Sequence, residues 1–140
     1  MATIHHQVVI NAPVARVYAA LATAEGISTW WDKQTERRTD RGVVLEHNPG
    51  PEHGIVQLEV VDQVENGRIE WKCISTHPSS SPASAWMGTH FIFELTPRDG
   101  QTMVDFRQTE YDEGSRFFAP NRDAWRSVLD NLKQVIEWQR

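Results

Sequence analysis

The segment covering residues 121–138 constrains the fold more than any other part of the chain. Its apolar residues recur at the spacing of one long amphipathic helix. The apolar stripe consists of Trp125, Val128, Leu129, Leu132, Val135 and Ile136, and the residues facing away from it are Arg126, Asp130, Lys133 and Glu137. At 1.5 Å per residue such a helix is roughly 27 Å long. It therefore requires a large apolar surface to pack against.

Most of the preceding chain alternates apolar and polar residues with a period of two, which is typical of strands that bury one face. Six segments show this pattern: residues 4–10, 43–47, 54–63, 68–76, 89–96 and 102–109. Glu65, Asn66 and Gly67 predict a hairpin turn between two of them. Residues 32–41 are polar and predict either a loop or an irregular edge strand.

Two short helices are predicted between the first strand and this polar segment. Pro13 suits a first helical position, where a missing N–H is not needed, and a second helix is expected to begin near Thr23. The whole order predicts a single α+β domain over residues 1–140. In it, a curved antiparallel sheet of six or seven strands wraps around the long C-terminal helix, with two short helices after the first strand.

Composition excludes several classes of protein. The formal net charge is −5, which argues against a nucleic-acid surface. Cys73 is the only cysteine, so there is no disulfide framework. No apolar run approaches the roughly 20 residues of a membrane span, and the first residues do not resemble a signal peptide. We therefore expect a cytoplasmic protein that does not insert into membranes.

Catalytic and metal chemistry have little support in the sequence. The six histidines lack the spacing of a metal motif, and His6, on the apolar side of the first strand, is better explained as a hydrogen-bonded core residue. Residues 79–81 are serines in a loop with no fixed base, and Cys73 lies on an apolar strand face, where thiols are inert. Gln108 and Tyr111 could orient a polar group of a ligand. We expect no catalytic residue, no metal and no cofactor.

Aromatic residues are the main candidates for a binding site. Those expected to converge inside the sheet are Trp30, Trp31, Trp71, Phe91, Phe93, Phe106 and Trp125. They could form a packed core, line an aromatic pocket, or do both. Two further apolar pairs lie in predicted loops, Trp86 with Met87 and Phe117 with Phe118. These pairs could gate a cavity, form a dimer contact or pack on the end of the sheet.

Three segments give the chain a family resemblance. Residues 10–18 (INAPVARVY) resemble a strand-to-helix entry, residues 27–31 (ISTWW) a paired-tryptophan segment, and residues 124–137 a closing helix. Together they resemble the START-like or SRPBCC superfamily, whose helix-grip fold is shared with the birch-pollen allergen. Within it, the chain is most similar to the branch named after the activator of the heat-shock-protein ATPase.

The resemblance implies a cavity between the sheet and the terminal helix that holds a small hydrophobic or aromatic molecule. The residues expected to touch it are Trp30, Trp31, Trp71, Phe91, Phe93, Phe106, Phe118, Trp125 and Leu129. Non-catalytic binding is the first hypothesis. A cyclase or dehydratase of the polyketide type and a chaperone-regulating interaction domain are the alternatives, because a fold does not choose among them. A homodimer is also compatible with the resemblance.

Overall fold

The computed structural model describes residues 1–138 as one seven-stranded antiparallel sheet with a long helix packed across its apolar face. The strands are β1 Ala2–Ile10, β2 Thr35–Thr39, β3 Gly42–His47, β4 Val56–Val64, β5 Arg68–Cys73, β6 His90–Arg98 and β7 Gln101–Tyr111. The helices are α1 Val14–Ala22, α2 Ala24–Ile27 and α3 Phe118–Trp138, with a 3₁₀ turn at Pro82–Ala85.

The curved sheet has the order β1-β7-β6-β5-β4-β3-β2. All neighbours pair antiparallel, and β1 joins β7 although most of the chain separates them. This arrangement confirms the predicted α+β fold, with seven strands. The segment at residues 32–41 contains the edge strand β2, whose residues are all exposed. Because β2 has no buried face, its sequence has no apolar alternation from which a strand could be recognised.

Local turn chemistry agrees with the sequence at the β4–β5 hairpin. Asn66 has a positive φ of 59°, which Asn tolerates better than most residues. The Gly67 N–H donates to the Val64 carbonyl at 2.9 Å. The predicted hairpin at residues 65–67 is confirmed.

A close approach between α1 and α2 fixes the segment that leads to the paired tryptophans. A Cβ on Gly26 would lie 2.2 Å from the Ala19 carbonyl oxygen, so only glycine allows this contact. The Trp30 indole N–H then donates to the Ala20 carbonyl at 2.7 Å. Helix α1 therefore holds the position from which Trp31 reaches the sheet.

Helix α3 buries its apolar stripe and uses its polar side to bind the edge strand β1. The stripe residues buried are Trp125, Leu129, Leu132 and Ile136, and Val128 and Val135 are partly buried. Arg126 donates to the Gln7 carbonyl at 3.1 Å, and Lys133 donates to the Val9 carbonyl at 2.7 Å. These bonds occupy backbone groups that an edge strand would otherwise leave open to another chain.

No helix within residues 1–138 combines the length and the apolar composition that a transmembrane span requires.

Candidate functional site

The aromatic residues singled out in the sequence form one connected cluster beneath α3. Neighbouring ring centroids lie between 4.3 and 6.4 Å apart, from Phe106 with Trp125 to Phe93 with Trp125. The cluster contains Trp30, Trp31, Trp71, Phe91, Phe93, Phe106 and Trp125. Leu129 is buried in the same core. Phe118 lies apart from the cluster, with its ring 5.4 Å from that of Tyr111.

Most of this cluster is closed to solvent. Trp71, Phe91, Phe93, Phe106 and Leu129 have no exposed surface, whereas Trp31 and Phe118 are only partly buried. A crevice of about 70 Å³ remains beside α3, lined by Trp31, Trp86, Asn121, Ala124, Trp125 and Val128. The inward-facing rings thus pack mainly against one another, and Trp31 and Trp125 are the members of the cluster that reach this crevice.

A second crevice opens on the other side of Trp31 and Trp86. It has a volume of about 190 Å³ and is lined by Trp31, Asp32, His47, Pro49, His53, Val56, Ser81, Pro82, Ala83 and Trp86. Because both crevices include Trp31 and Trp86, these two indoles form their common wall. A rotation of the Trp31 side chain would join the two spaces.

Several aromatic side chains surround the indole of Trp31. It stacks on Trp71 with centroids 6.1 Å apart and planes at 9°, and its ring lies 5.1 Å from that of Trp125. Its ring centroid also lies 4.7 Å from that of His47. Such offset stacks hold an indole by dispersion and quadrupole interactions without any hydrogen bond. Another flat ring could therefore replace it.

Two buried polar groups in the described chain lack a hydrogen-bond partner, the Trp71 indole N–H and the Tyr111 hydroxyl. An unsatisfied buried group costs about 1–3 kcal/mol, so each would gain from a polar atom placed beside it. Burial raises the pKa of Tyr111 to about 12, which keeps the hydroxyl neutral. Gln108, the other residue expected to orient a ligand, already donates to Thr89 Oγ1 at 3.0 Å.

A buried amide network secures the start of α3 and was missed by the sequence reasoning. The Asn121 amide donates to Gln108 Oε1 at 2.8 Å, and Asn121 Oδ1 accepts from the Trp86 indole N–H at 3.3 Å. Both bonds link α3 to residues far away in sequence. The network places Trp86 at the wall between the crevices. The one signal in the sequence is Asn121 itself, a polar residue one helical turn before Trp125.

His47 is a buried histidine that lines the larger of these two crevices. Its Nδ1 lies 3.1 Å from Gln34 Oε1, and its Nε2 lies 4.0 Å from Asp32 Oδ2. Burial lowers the pKa of His47 to about 4, against an opposing effect of Asp32 and with a further lowering by His77. The imidazole is therefore neutral at physiological pH.

The expectation that residues 79–81 have no base beside them is wrong for Ser81. The Ser81 hydroxyl oxygen lies 2.6 Å from His53 Nδ1, and His53 Nε2 lies 3.3 Å from Glu52 Oε1. Sequence reasoning missed this pair because 28 residues separate its members. Pro82 has no N–H, and the Ala83 N–H already donates to the Ser81 oxygen at 3.2 Å. Neither amide is therefore available to stabilise an oxyanion, and the pair fastens two loops together.

The remaining candidates have structural roles. The His6 ring donates to the Arg122 carbonyl at 2.7 Å, which agrees with a hydrogen-bonded histidine. Cys73 is buried, and burial raises the pKa of its thiol, as for an inert cysteine. Within residues 1–138, no group of three His, Cys, Asp or Glu side chains is arranged to hold a metal ion.

Comparison with known protein families and structures shows what this chain is similar to. The model of the family described as Activator of Hsp90 ATPase homolog 1-like protein matches residues 11–137. A search of the curated proteins finds no match.

Several solved structures share the fold. The Aha1 dimer from Colwellia psychrerythraea, solved in solution, has a TM-score of 0.81 and 26% identity, with 98% of this chain and 97% of that chain covered. Protein MLL2253 from Mesorhizobium loti has a TM-score of 0.82 and 18% identity, covering 99% of each chain. CalU16 from Micromonospora echinospora has a TM-score of 0.74 and 13% identity, covering 96% of this chain and 73% of that chain.

Proposed function

The chain belongs to the family of Activator of Hsp90 ATPase homolog 1-like proteins, and from that premise we propose that it binds a small hydrophobic or aromatic molecule without catalysis. The ligand lies between the sheet and α3. It enters beside Trp31 and Trp86 and reaches the cluster of Trp30, Trp71, Phe91, Phe93, Phe106, Trp125 and Leu129. Phe118 lies at the start of α3 against Tyr111, so it would contact only an extended ligand.

The position of Trp31 is the observation that carries this proposal. Its partly buried indole separates two crevices and stacks on Trp71. When it swings outward, the space it leaves is continuous with both crevices and faces a fully buried aromatic surface. A flat apolar molecule can then take its place on the face of Trp71.

The free energy available from apolar burial is sufficient for weak binding. Removing about 200 Å² of apolar surface from water stabilises a complex by roughly 5 kcal/mol at 25 cal/mol per Å². The entropy of association and the displacement of Trp31 oppose it. The expected dissociation constant is therefore about millimolar for a ligand the size of a bicyclic ring.

Indole N–H signals in an NMR correlation spectrum test this proposal, because the six tryptophans give resolved reporters in different places. On titration with 2-naphthol, we expect the signals of Trp31, Trp71 and Trp86 to shift together with a single affinity. Trp138, at the end of α3, lines neither crevice and serves as the internal control. Its signal should not move.

A Trp31→Ala variant separates the proposed site from adventitious surface binding. Removing the indole joins the two crevices, so the variant should bind 2-naphthol about tenfold more tightly or more, since one indole no longer has to be displaced. The affinity of Trp31→Phe for 2-naphthol should lie between those of the unmodified protein and Trp31→Ala. Unchanged signals for Trp31, Trp71 and Trp86 across a broad panel of hydrophobic ligands would overturn the proposal.

We propose in addition that the protein forms a homodimer through the end of α3. The similar protein from Colwellia psychrerythraea is a dimer in solution. Here Trp138 is 88% exposed beside a shallow groove of about 330 Å³ that is lined by Asn131, Gln134, Val135 and Trp138. In a two-fold interface the same patch serves both subunits, so each Trp138 could enter the groove of the other subunit.

Light scattering during gel filtration measures the mass of the protein in solution and so tests the homodimer. We expect the unmodified protein to have about twice the mass of the 16.1 kDa chain, and Trp138→Glu to have the mass of one chain because a buried carboxylate would oppose association. Met87→Glu is the matched control, since Met87 is also exposed but lies in the β5–β6 connection. A dimer lost in Met87→Glu and kept in Trp138→Glu would contradict the assignment.

A further inference from the structure

Two hydrogen-bond acceptors face each other at the polar end of the larger crevice beside Trp31. They are His47 Nε2 and Asp32 Oδ2, which lie 4.0 Å apart. The separation is too long for a hydrogen bond. It leaves room for the donor hydrogens of a third group to approach both atoms.

The hydrogen-bond network determines that His47 Nε2 is an acceptor. The Gln34 side-chain nitrogen donates to the Asp32 carbonyl at 2.8 Å, which fixes the amide with its oxygen toward His47. Gln34 Oε1 can only accept, so His47 Nδ1 carries the hydrogen of their 3.1 Å contact. Since burial keeps the ring neutral, Nε2 retains its lone pair.

The surroundings of this pair combine negative charge with aromatic faces. The crevice of about 190 Å³ places Trp31 and Trp86 next to Asp32 and His47. A wider surface groove of about 470 Å³, lined by Asp32, Lys33, Thr35, Glu46, His47, Asn48 and Ile55, reaches the same two acceptors from outside. Asp32 is 52% exposed and is accessible to a ligand arriving through that groove.

We propose that Asp32 and His47 bind the ammonium group of an organic amine whose apolar body lies against Trp31 and Trp86. The inference rests on the proposed function, because the amine enters by the same crevice beside Trp31 and Trp86. An ammonium group offers three donors and no acceptor, which matches two acceptors without a donor. A cation beside an indole face gains further attraction from the ring quadrupole.

The dimensions and charges narrow the ligand class. A buried space of about 150 Å³ can hold one benzene ring, so the crevice accommodates a single aromatic ring and a short linker. A carboxylate head would be repelled by Asp32, and an alcohol offers only one donor. Lys33 lines the outer groove, and its positive charge opposes a bound cation.

Three ligands that share a benzene ring and differ in their head group test the proposal: phenethylamine, 2-phenylethanol and phenylacetate. Binding is measured by calorimetry and by tryptophan fluorescence at neutral pH, where the amine is protonated. We expect phenethylamine to bind about tenfold more tightly than 2-phenylethanol, as is typical of a charge-assisted hydrogen bond, and phenylacetate to bind most weakly.

Variants assign the preference to the named residues. Asp32→Asn preserves shape and should reduce phenethylamine affinity to that of 2-phenylethanol while leaving the alcohol unchanged. Asp40→Asn makes the same change in net charge in the turn after β2 and should have no effect. Lys33→Met should increase the affinity for phenethylamine by about twofold to fivefold, which is the range of a single exposed charge interaction.

The outcomes distinguish the two proposals. Equal affinity for the amine and the alcohol, or a preference that survives in Asp32→Asn, would overturn the amine site while leaving apolar binding intact. A failure of all three ligands to bind, together with unchanged Trp31 and Trp86 signals in the 2-naphthol titration, would overturn both.

Discussion

Replacing Trp125 with alanine is expected to remove about 3–5 kcal/mol from the free energy of unfolding. Trp125 is 2% exposed and is the residue through which α3 contacts the sheet aromatics. Its ring stacks on Phe106 with centroids 4.3 Å apart and lies 5.7 Å from Phe91. The loss is large against the 5–15 kcal/mol total that is usual for a domain.

Chemical denaturation followed by far-ultraviolet circular dichroism measures this change. The control is Asp130→Ala on the same helix, where the side chain is 51% exposed and pairs with Arg126 at 3.3 Å. Its effect should stay within about 0.5 kcal/mol. Equal effects of the two substitutions would mean that α3 does not cover the sheet in solution.

Trp125→Ala also tests whether the interior can bind a small aromatic molecule. Removing the indole leaves a cavity that adjoins the crevice beside Trp31, and apolar cavities of this kind bind small aromatic molecules. Indole added to Trp125→Ala should therefore raise its melting temperature more than it raises that of the unmodified protein. No difference in this increase would indicate that the surrounding rings collapse into the vacated space.

His47 is expected to make the protein less stable as the pH falls from 7 to 5. Its pKa is about 4 in the folded protein and 6.5 when unperturbed, so the unfolded chain binds the proton more readily. Protonation therefore favours unfolding, and the stabilising contribution, complete above pH 6.5, is lost as the pH falls toward 4. The free energy of unfolding should decrease by about 2 kcal/mol between pH 7 and pH 5.

His47→Gln isolates this effect, because the other titrating groups are the same in both proteins. Burial raises the pKa of Asp105, but hydrogen bonds from His5 and Gln7 outweigh it and the net shift is downward, and a hydrogen bond from Lys133 lowers the pKa of Glu137. Both carboxylates act mainly below this window and cancel in the comparison. The free energy of unfolding of the unmodified protein, relative to that of His47→Gln, should decrease by about 2 kcal/mol from pH 7 to pH 5. An imidazole signal of His47 that titrates near pH 6.5 in an NMR experiment would contradict the prediction.

Much of the fold follows from the sequence because binary patterns report burial directly. The period-two segments became β1 and β3 to β7, and the 3.6-residue stripe became α3. Asn66 and Gly67 specified their hairpin through backbone conformations that few other residues adopt. Strand β2 lies where either a loop or an irregular edge strand was expected. An exposed edge strand leaves no apolar pattern to read.

The polar features of the candidate site depend on contacts between distant parts of the chain. Asn121 meets Gln108 and Trp86, and Ser81 meets His53, across 13 to 35 residues. No local sequence pattern predicts these contacts, because they form only when the sheet and the helix pack together. The perturbed pKa of His47 likewise depends on burial beneath Trp31, which the composition of its own strand does not reveal.

By itself, the sequence determined most of the apolar residues that are buried, the order of the strands and helices along the chain, and seven members of the aromatic cluster. Hydrophobic patterning is a local property, and it is sufficient for those conclusions. Only the tertiary structure decided how full the interior is and where the polar groups meet. Side-chain packing and the pairing of donors with acceptors are set by distances between residues remote in sequence. The crevices beside Trp31 and the approach of Asp32 to His47 exist only in three dimensions.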